Sequence, residues 1–186
     1  MRFATIMYGN QQRVAVESET EPLTLEFLPD SFTSLLDVIN AGEDLPEPVL
    51  RANPEEVRYL APVPNPQRNI LCVGKNYLAH RDDFAKIGFD ASTTDLSVKP
   101  EFPIVFSKFG SSVVGPGETV DLMAHVTSKV DYEAELAVFI SAEGRDIAVA
   151  DAMEHVWGYT AINDVTARDR QKRHKQWLLG KTLDGF

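Results

Sequence analysis

Six prolines between residues 46 and 66 disfavour both a helix interior and a central strand in that part of the chain. Proline fixes φ and carries no backbone N–H, so it removes a hydrogen bond from either structure. A run of this kind favours an extended linker. We therefore predict a domain boundary here, with a small N-terminal domain at 1–60, a proline-rich linker at 61–67 and a larger C-terminal domain at 68–186.

The first 60 residues carry the signals of a small α+β domain. Arg2–Tyr8 and Arg13–Val16 alternate between apolar and polar residues, which predicts two strands joined by a turn at Gly9–Asn10. Ser31–Ile39 has the pattern of a capped helix that ends near Gly42.

The C-terminal part is made of short apolar segments separated by irregular loops. We predict strands at 69–74, 104–106, 130–140 and 156–164, helices at 77–87 and 166–179, a loop at 88–103 and a tight turn at 115–117. Because strands outnumber helices, a β-rich α+β fold with a mixed sheet is favoured over a doubly wound sheet.

Composition narrows the partners that this chain can have. The formal net charge of −10 makes nucleic acid and anionic membrane poor partners, because an acidic protein repels phosphate groups. No segment reaches the roughly 20 apolar residues of a membrane-spanning helix, and the N-terminus lacks the pattern of a signal peptide. Cys72 is the single cysteine, which excludes an intrachain disulfide and fits a reducing, cytoplasmic location.

One basic run, at 168–175, stands against this acidic background. Such a run is typical of a solvated helix face. The alternative is a local positive field that attracts an acidic small molecule.

Acidic residues repeat at every second position within the segment 130–140. One face of this predicted strand is apolar and is expected to be core: Val130, Tyr132, Ala134, Leu136, Val138 and Ile140. The other face carries Asp131, Glu133 and Glu135, followed by Ala137 and Phe139. The Cα atoms of residues i and i+2 on a strand lie roughly 7 Å apart, so the carboxylates of Glu133 and Glu135 can converge on one cation. The alternative is an edge strand whose acids are solvated.

Two further positions could take part in such a site. Asp164 lies where a predicted strand meets a helix, so it is either a third ligand or a helix N-cap. Oxygen ligands favour Mg²⁺, Mn²⁺ or Ca²⁺ over zinc. His80 and Asp83 share a helix face, where a carboxylate raises imidazole basicity, and the alternative is an ordinary surface histidine.

Four motifs, in order and spacing, carry a resemblance to a known family. They are Val73–His80, Phe106–Lys108 with Ser111–Gly117, Val130–Ala137, and Gly158–Asp169. Over about 68–186 the chain resembles the fumarylacetoacetate hydrolase family, in particular its acylpyruvate hydrolases and 2-hydroxyhepta-2,4-diene-1,7-dioate isomerases. The first 60 residues look like the small N-terminal domain that many members carry.

The resemblance implies a site and a set of roles. A Mg²⁺ ion would be held by Glu133, Glu135 and Asp164, with open positions for the carboxylate and keto oxygen of a 2-keto acid. His80 with Asp83, or less favourably Asp82, would activate water. The remaining matches imply that Lys181 and Gln171 stabilise developing negative charge, and that Arg168 and Lys108 bind substrate.

These roles predict hydrolysis of a C–C bond in an acylpyruvate-type 2,4-diketo acid, such as fumarylpyruvate. Decarboxylation or isomerisation of 2-keto acids in aromatic catabolism is the alternative within the family, and a non-catalytic fragment is the alternative outside it. The family's chains normally continue for roughly another hundred residues, so we expect a catalytic domain incomplete at its C-terminus. The resemblance also implies a homodimer.

Overall fold

The computed structural model describes residues 1–77, 101–173 and 176–186. The strands are β1 (Phe3–Tyr8), β2 (Gln11–Glu17), β3 (Leu25–Phe27), β4 (Leu50–Ala52), β5 (Arg58–Tyr59), β6 (Ile70–Gly74), β7 (Ile104–Lys108), β8 (Val130–Asp131), β9 (Ala134–Ile140), β10 (Val156–Asn163) and β11 (Thr166–Ala167). The α-helices are α1 (Leu35–Ala41), α2 (Arg168–Arg173) and α3 (Leu178–Lys181), and 3₁₀ turns span Pro54–Glu56, Gly110–Ser112 and Val149–His155.

A five-stranded antiparallel sheet organises the N-terminal part of the chain. Its strand order is β4-β3-β2-β1-β5, and β1 and β2 form the hairpin that the alternation predicts, with Gly9 at φ 57° in the turn. One face of the sheet packs Ile6, Ala15 and Phe27 into a buried cluster. The opposite face packs Val14 against α1. Both faces of this small sheet are therefore core.

Helix α1 begins four residues later than the predicted start at Ser31. The Asp37 carboxylate accepts hydrogen bonds from the backbone N–H groups of Thr33 and Ser34, which fixes Ser34 as the N-cap. The helix ends at Gly42, with φ 68°, as the sequence predicts. The carboxylate that closes the capping box thus decides where the helix starts.

Contacts between Cα atoms divide the chain into two units. The first comprises Met1–Asn65, Val114–Glu118 and Leu136–Thr160, and the second Pro66–Val113, Thr119–Glu135 and Ala161–Phe186. The domain bounds 1–60, 61–67 and 68–186 stay a prediction.

The predicted single strand at 130–140 is wrong, because the strand is broken at Tyr132 and Glu133. The Glu133 N–H binds the Asn163 side-chain oxygen at 3.1 Å, and the Glu133 carbonyl accepts the Asp164 N–H at 2.9 Å. These bonds draw Glu133 away from regular pairing. They leave β8 paired with β11, and β9 paired with β10.

The prediction of which face of 130–140 is core is also wrong. Leu136 and Ile140 are 60% and 61% exposed, whereas Glu133 is buried. Phe139, on the face that carries Glu133 and Glu135, packs with Trp157 beside the Val14 cluster. The acidic face therefore points inward. Glu133 is buried at one end of this face, and Phe139 packs beside the apolar Val14 cluster at the other.

The segment predicted as one helix at 166–179 begins as a strand. Thr166 and Ala167 pair with Asp131 and Val130 in β8 and β11, and α2 and α3 follow. Val165, Ala167 and Phe186 form a small buried cluster beneath them. The helix predicted at 77–87, with His80 and Asp83, lies outside the described residues except for Tyr77. Within the described ranges, every helix is too short or too polar to cross a bilayer.

Candidate metal centre

A backbone hydrogen bond places two acidic residues side by side. The N–H of Asp164, just after β10, donates to the carbonyl of Glu133, just before β9. Glu135 follows two residues along β9 and points to the same face as Glu133. The strand break that the sequence did not predict is thus what brings Glu133 next to Asp164.

Three carboxylates converge at this point. One side-chain oxygen from each of Glu133, Glu135 and Asp164 lies within 4.8 Å of the other two. Asp164 is 1% exposed and Glu133 is buried, while Glu135 is partly exposed. Like charges held this close in a buried place repel one another unless cations neutralise them. The three residues expected as ligands are therefore brought together by the fold.

Lys181, at the end of α3, supplies one such cation. Its Nζ donates to Glu133 Oε2 at 2.5 Å and to Asp164 Oδ2 at 2.7 Å, and lies 5.0 Å from the centre of the Phe106 ring. A Cβ at Gly180 would lie 2.6 Å from the backbone nitrogen of Gln171. Glycine at 180 therefore lets α3 pack closely on α2, which carries Lys181 to the carboxylates.

Arg168, the first residue of α2, holds the opposite side of Glu133. Its NH1 lies 2.6 Å from Glu133 Oε1 and donates to Gln171 Oε1 at 3.1 Å, while Nε donates to Asp131 Oδ2 at 2.9 Å. The guanidinium thus orients one carboxylate of the trio and the side chain of Gln171. Sequence reasoning missed Asp131 as its partner, because their pairing depends on β8 lying beside β11.

Lys108 is the last residue of β7 and is buried at 5% exposure. Its Nζ donates to the carbonyls of Val165 and Lys181, each at 2.9 Å, and forms an ion pair with Asp164 Oδ1 at 2.7 Å. The structure therefore places Lys108 in contact with Asp164, at the end of a strand.

Burial and neighbouring charges shift the pKa values of this cluster in opposite directions. Burial acts to raise the pKa of Asp164, but the ammonium groups of Lys181 and Lys108 hold it below its ordinary value. Burial, together with the carboxylates of Asp164 and Glu133, raises the pKa of Glu135. Burial, together with the carboxylates of Asp164 and Glu135, raises the pKa of the Cys72 thiol to about 12, so this cysteine stays protonated at neutral pH.

A small cleft opens onto these groups. Its polar lining consists of Lys75, Asn76, Glu133, Glu135, Gln171 and Lys181, and its apolar lining of Gly74, Tyr77, Phe106 and Trp177. Trp177 meets the Phe106 ring edge to face, with centroids 5.9 Å apart. Of the residues expected to bind substrate or stabilise charge, Lys181 and Gln171 line the cleft, and Arg168 and Lys108 contact the carboxylates from behind.

Sequence reasoning missed the aromatic wall. A Cβ at Gly74 would lie 2.1 Å from Cζ3 of Trp177, so the indole ring lies directly on the glycine backbone. The available signal was a glycine at the end of an apolar strand, but nothing local pairs it with a tryptophan about a hundred residues later. His80 and Asp83 lie outside the described residues, so the expected water-activating pair stays a prediction.

The donor set fits a hard divalent cation. All three converging groups offer oxygen, which Mg²⁺, Mn²⁺ and Ca²⁺ prefer. Asp164 Oδ1 is a buried atom that accepts no hydrogen bond of normal geometry, its contact with Lys108 being an ion pair only. Such an atom retains lone pairs for a metal ion. The three carboxylates could therefore hold a metal ion here.

Comparison with known proteins places this β-rich, carboxylate-lined fold in a defined class of enzymes. The family model "Fumarylacetoacetate (FAA) hydrolase C-terminal" matches residues 69–186. The chain belongs to the fumarylacetoacetate hydrolase family, as the order of its motifs predicted. The predicted β-rich α+β fold class is confirmed with it.

Curated relatives share close to half of the aligned residues. Oxaloacetate tautomerase YisK of Bacillus subtilis is 49% identical over 129 residues, which cover 69% of this chain and 40% of that protein. The human mitochondrial oxaloacetate tautomerase FAHD2A is 47% identical over 133 residues, covering 70% of this chain and 38% of the relative. The aligned part of the chain thus spans about two fifths of the length of these relatives.

Solved structures also superpose on this chain. A fumarylacetoacetate hydrolase from Exiguobacterium antarcticum superposes with a TM-score of 0.77 at 37% identity, covering 99% of this chain and 62% of the other. A 5-carboxymethyl-2-hydroxymuconate delta-isomerase from Mycobacterium smegmatis gives a TM-score of 0.75 at 27% identity, covering 100% of this chain and 63% of the other.

Proposed function

We propose that the chain catalyses the metal-dependent interconversion of keto and enol forms of a small 2-keto acid, with oxaloacetate as the first substrate to test. The observation that carries the proposal is the Lys181 ammonium within 2.5 and 2.7 Å of two of three converging carboxylates. This combination offers a metal site and a cationic hydrogen-bond donor in one cleft. The names of the relatives, oxaloacetate tautomerases, support the substrate class.

Mg²⁺ is the proposed metal, with Glu133, Glu135 and Asp164 as its ligands. When bound, it would act as a Lewis acid that polarises the keto group of a chelated substrate. The rest of the cleft surface offers Lys75, Asn76 and Gln171 as polar partners for an anionic, bidentate substrate.

The proposed enolisation moves two protons. The C3 proton passes to a water molecule, the electron pair of the C3–H bond forms the C2–C3 double bond, and the keto oxygen gains a proton from an ammonium group that solvent then reprotonates. We assign Lys181 as the donor to that oxygen, since its ammonium lies beside the carboxylates that would hold the metal ion. Gln171, held by Arg168, is assigned to hydrogen-bond the developing negative charge. The same residues serve the reverse reaction.

Hydrolysis of an acylpyruvate-type C–C bond is the second candidate function. The observation that favours it is the sequence pair His80 and Asp83, three residues apart. His80 matches the histidine of the family's water-activating pair, and Asp83 stands where the family often has Glu. Water attack on the distal carbonyl would need this pair, whereas the keto–enol step needs only the cleft residues. Isomerisation and decarboxylation share the keto–enol chemistry, and the solved relative from Mycobacterium smegmatis is a delta-isomerase.

The test uses the purified 186-residue chain with oxaloacetate and Mg²⁺ or Mn²⁺. We expect the decay of the enol form, followed by its ultraviolet absorbance, to be accelerated by the metal-loaded chain and to return to the buffer rate with EDTA. Lys181→Met should lower kcat by about 100-fold, the typical cost of removing one preorganised donor. Glu143→Gln, at an exposed residue, is the matched control and should keep the wild-type rate.

Product analysis separates the candidates. Release of pyruvate from fumarylpyruvate, lost in His80→Ala, would support hydrolysis as the main activity. Release of CO₂ from oxaloacetate at the rate of enolisation would support decarboxylation. A chain that binds neither metal nor substrate and accelerates none of these reactions would refute the enzyme proposal and leave the non-catalytic alternative.

A further inference from the structure

Lys108 has a chemical role that substrate binding does not explain. It is a buried ammonium at the end of β7, and an ammonium group has three N–H donors and no acceptor. Two of these donors bind the Val165 and Lys181 carbonyls, and the third side of the group faces Asp164 Oδ1. The Lys108 ammonium therefore has two hydrogen bonds and one ion pair, all within the protein.

The three partners of Lys108 come from two segments that carry functional groups. Val165 directly follows Asp164, so the bond to its carbonyl fixes the backbone beside that carboxylate. The bond to the Lys181 carbonyl fixes the backbone from which the Lys181 side chain reaches Glu133 and Asp164. One buried cation thus connects β7, the turn after β10 and the end of α3.

We infer that Lys108 is a positioning residue, which holds Asp164 and Lys181 in the mutual geometry that the metal and the keto group require. This inference rests on the proposed function of the same site. Removing the ammonium would leave two buried carbonyls without a donor and would take from Asp164 one of its two neutralising cations. Asp164 would then have Lys181 as its one remaining neutralising cation among the described residues, and the backbone on both sides of their contact would lose its anchor.

Lys108→Met tests the inference, because methionine preserves length and apolar bulk but removes the charge and all three donors. We expect the affinity for Mn²⁺, measured by electron paramagnetic resonance, to fall by about 10–100-fold, the range found when groups that orient metal ligands are removed. Lys129→Met is the matched control, since Lys129 is exposed, and should bind Mn²⁺ as the wild type does.

A second variant separates an effect on Mn²⁺ affinity from an effect on folding. We expect Lys108→Met to lower Tm by an amount on the order of 10 °C, as for a broken buried ion pair. Lys108→Gln keeps an amide that can donate to both carbonyls, so it should be more stable while still losing Mn²⁺ affinity. A purely structural role would lower Tm and leave the Mn²⁺ affinity of the folded variants unchanged, and that result would overturn the inference.

Failure of the proposed function can be distinguished from failure of the inference about Lys108. If the wild type binds no Mn²⁺, the metal proposal fails, and Lys108 is judged by a double-mutant cycle with Asp164→Asn. Non-additive effects on Tm would support the coupling between Lys108 and Asp164, as expected for two residues in one network. Additive effects would contradict it.

Discussion

The absence of a Cβ atom at Gly74 affects the shape of the cleft. The indole ring of Trp177 lies where a Cβ would be, at 2.1 Å from Cζ3, and it meets the Phe106 ring edge to face. Phe106 in turn lies beneath the Lys181 ammonium. A methyl group at 74 would therefore disturb a chain of contacts that ends at the proposed proton donor.

We predict that Gly74→Ala displaces Trp177 and lowers Tm by roughly 5 °C, since overpacking costs about 1–3 kcal/mol. The KM for the 2-keto acid should rise at the same time, because the apolar wall of the cleft moves. Gly158→Ala is the matched control, since a Cβ there meets nothing within 4 Å. Equal Tm and KM values for the two variants would contradict this description of the cleft.

The sequence predicted the acidic trio but not the contacts of the cations around it. Glu133 and Glu135 were visible as a period-two pattern, and Asp164 as an acid at a strand end. The partners of Lys108 lie 57 and 73 residues away, at Val165 and Lys181. Because such contacts depend on how segments pack, no local pattern distinguishes this lysine from one that faces substrate.

At the scale of an element, strand β9 shows the limit of reading alternation. The two-residue period correctly separates an acidic face from an apolar face, but it does not say which face is inside. Phe139 packs against a buried cluster in the first unit, and Glu135 belongs to the carboxylate site in the second. Tertiary contacts at the two ends of one strand thus outweigh the hydrophobicity of Leu136 and Ile140.

This orientation predicts that substitutions on the two faces of β9 change Tm by different amounts. Leu136→Thr, on the exposed face, should change Tm by no more than about 2 °C, as is usual for surface substitutions. Phe139→Ala should lower Tm by an amount on the order of 5 °C or more, because it leaves a gap beside Trp157. Thermal unfolding followed by circular dichroism measures both. If Leu136→Thr were the more damaging change, the assigned orientation of β9 would be wrong.

For the whole molecule, the net charge is negative, but positive side chains gather around the buried carboxylates. The chain carries a net charge of −10, yet its buried acids lie among three cations, Lys108, Lys181 and Arg168. The local excess of carboxylate over cation is therefore small, and a divalent ion together with an anionic substrate can be accommodated without a large net charge.

We expect Mg²⁺ or Mn²⁺ to stabilise the chain by mass action. At a metal concentration about 100 times Kd, the gain is about 2.7 kcal/mol, which raises Tm by roughly 5–10 °C. Asp164→Asn should abolish the shift by removing a ligand, and Glu143→Gln should retain it. A wild-type Tm that does not respond to millimolar metal would argue against an assembled site.

Family and fold class could be predicted for the whole molecule because four motifs kept their order and spacing across the second half of the chain. The strand break at Glu133 and the division of 166–179 into β11, α2 and α3 could not, since each is set by hydrogen bonds to a distant segment. A homodimer and a cytoplasmic location stay predictions.

The N–H of Asp164 donates to the carbonyl of Glu133, so two proposed ligands are tied by one amide proton. That proton can exchange with deuterium only when the turn after β10 separates from the start of β9. Its protection factor therefore reports the integrity of the metal site directly, in the absence of any substrate, and should increase as the site fills.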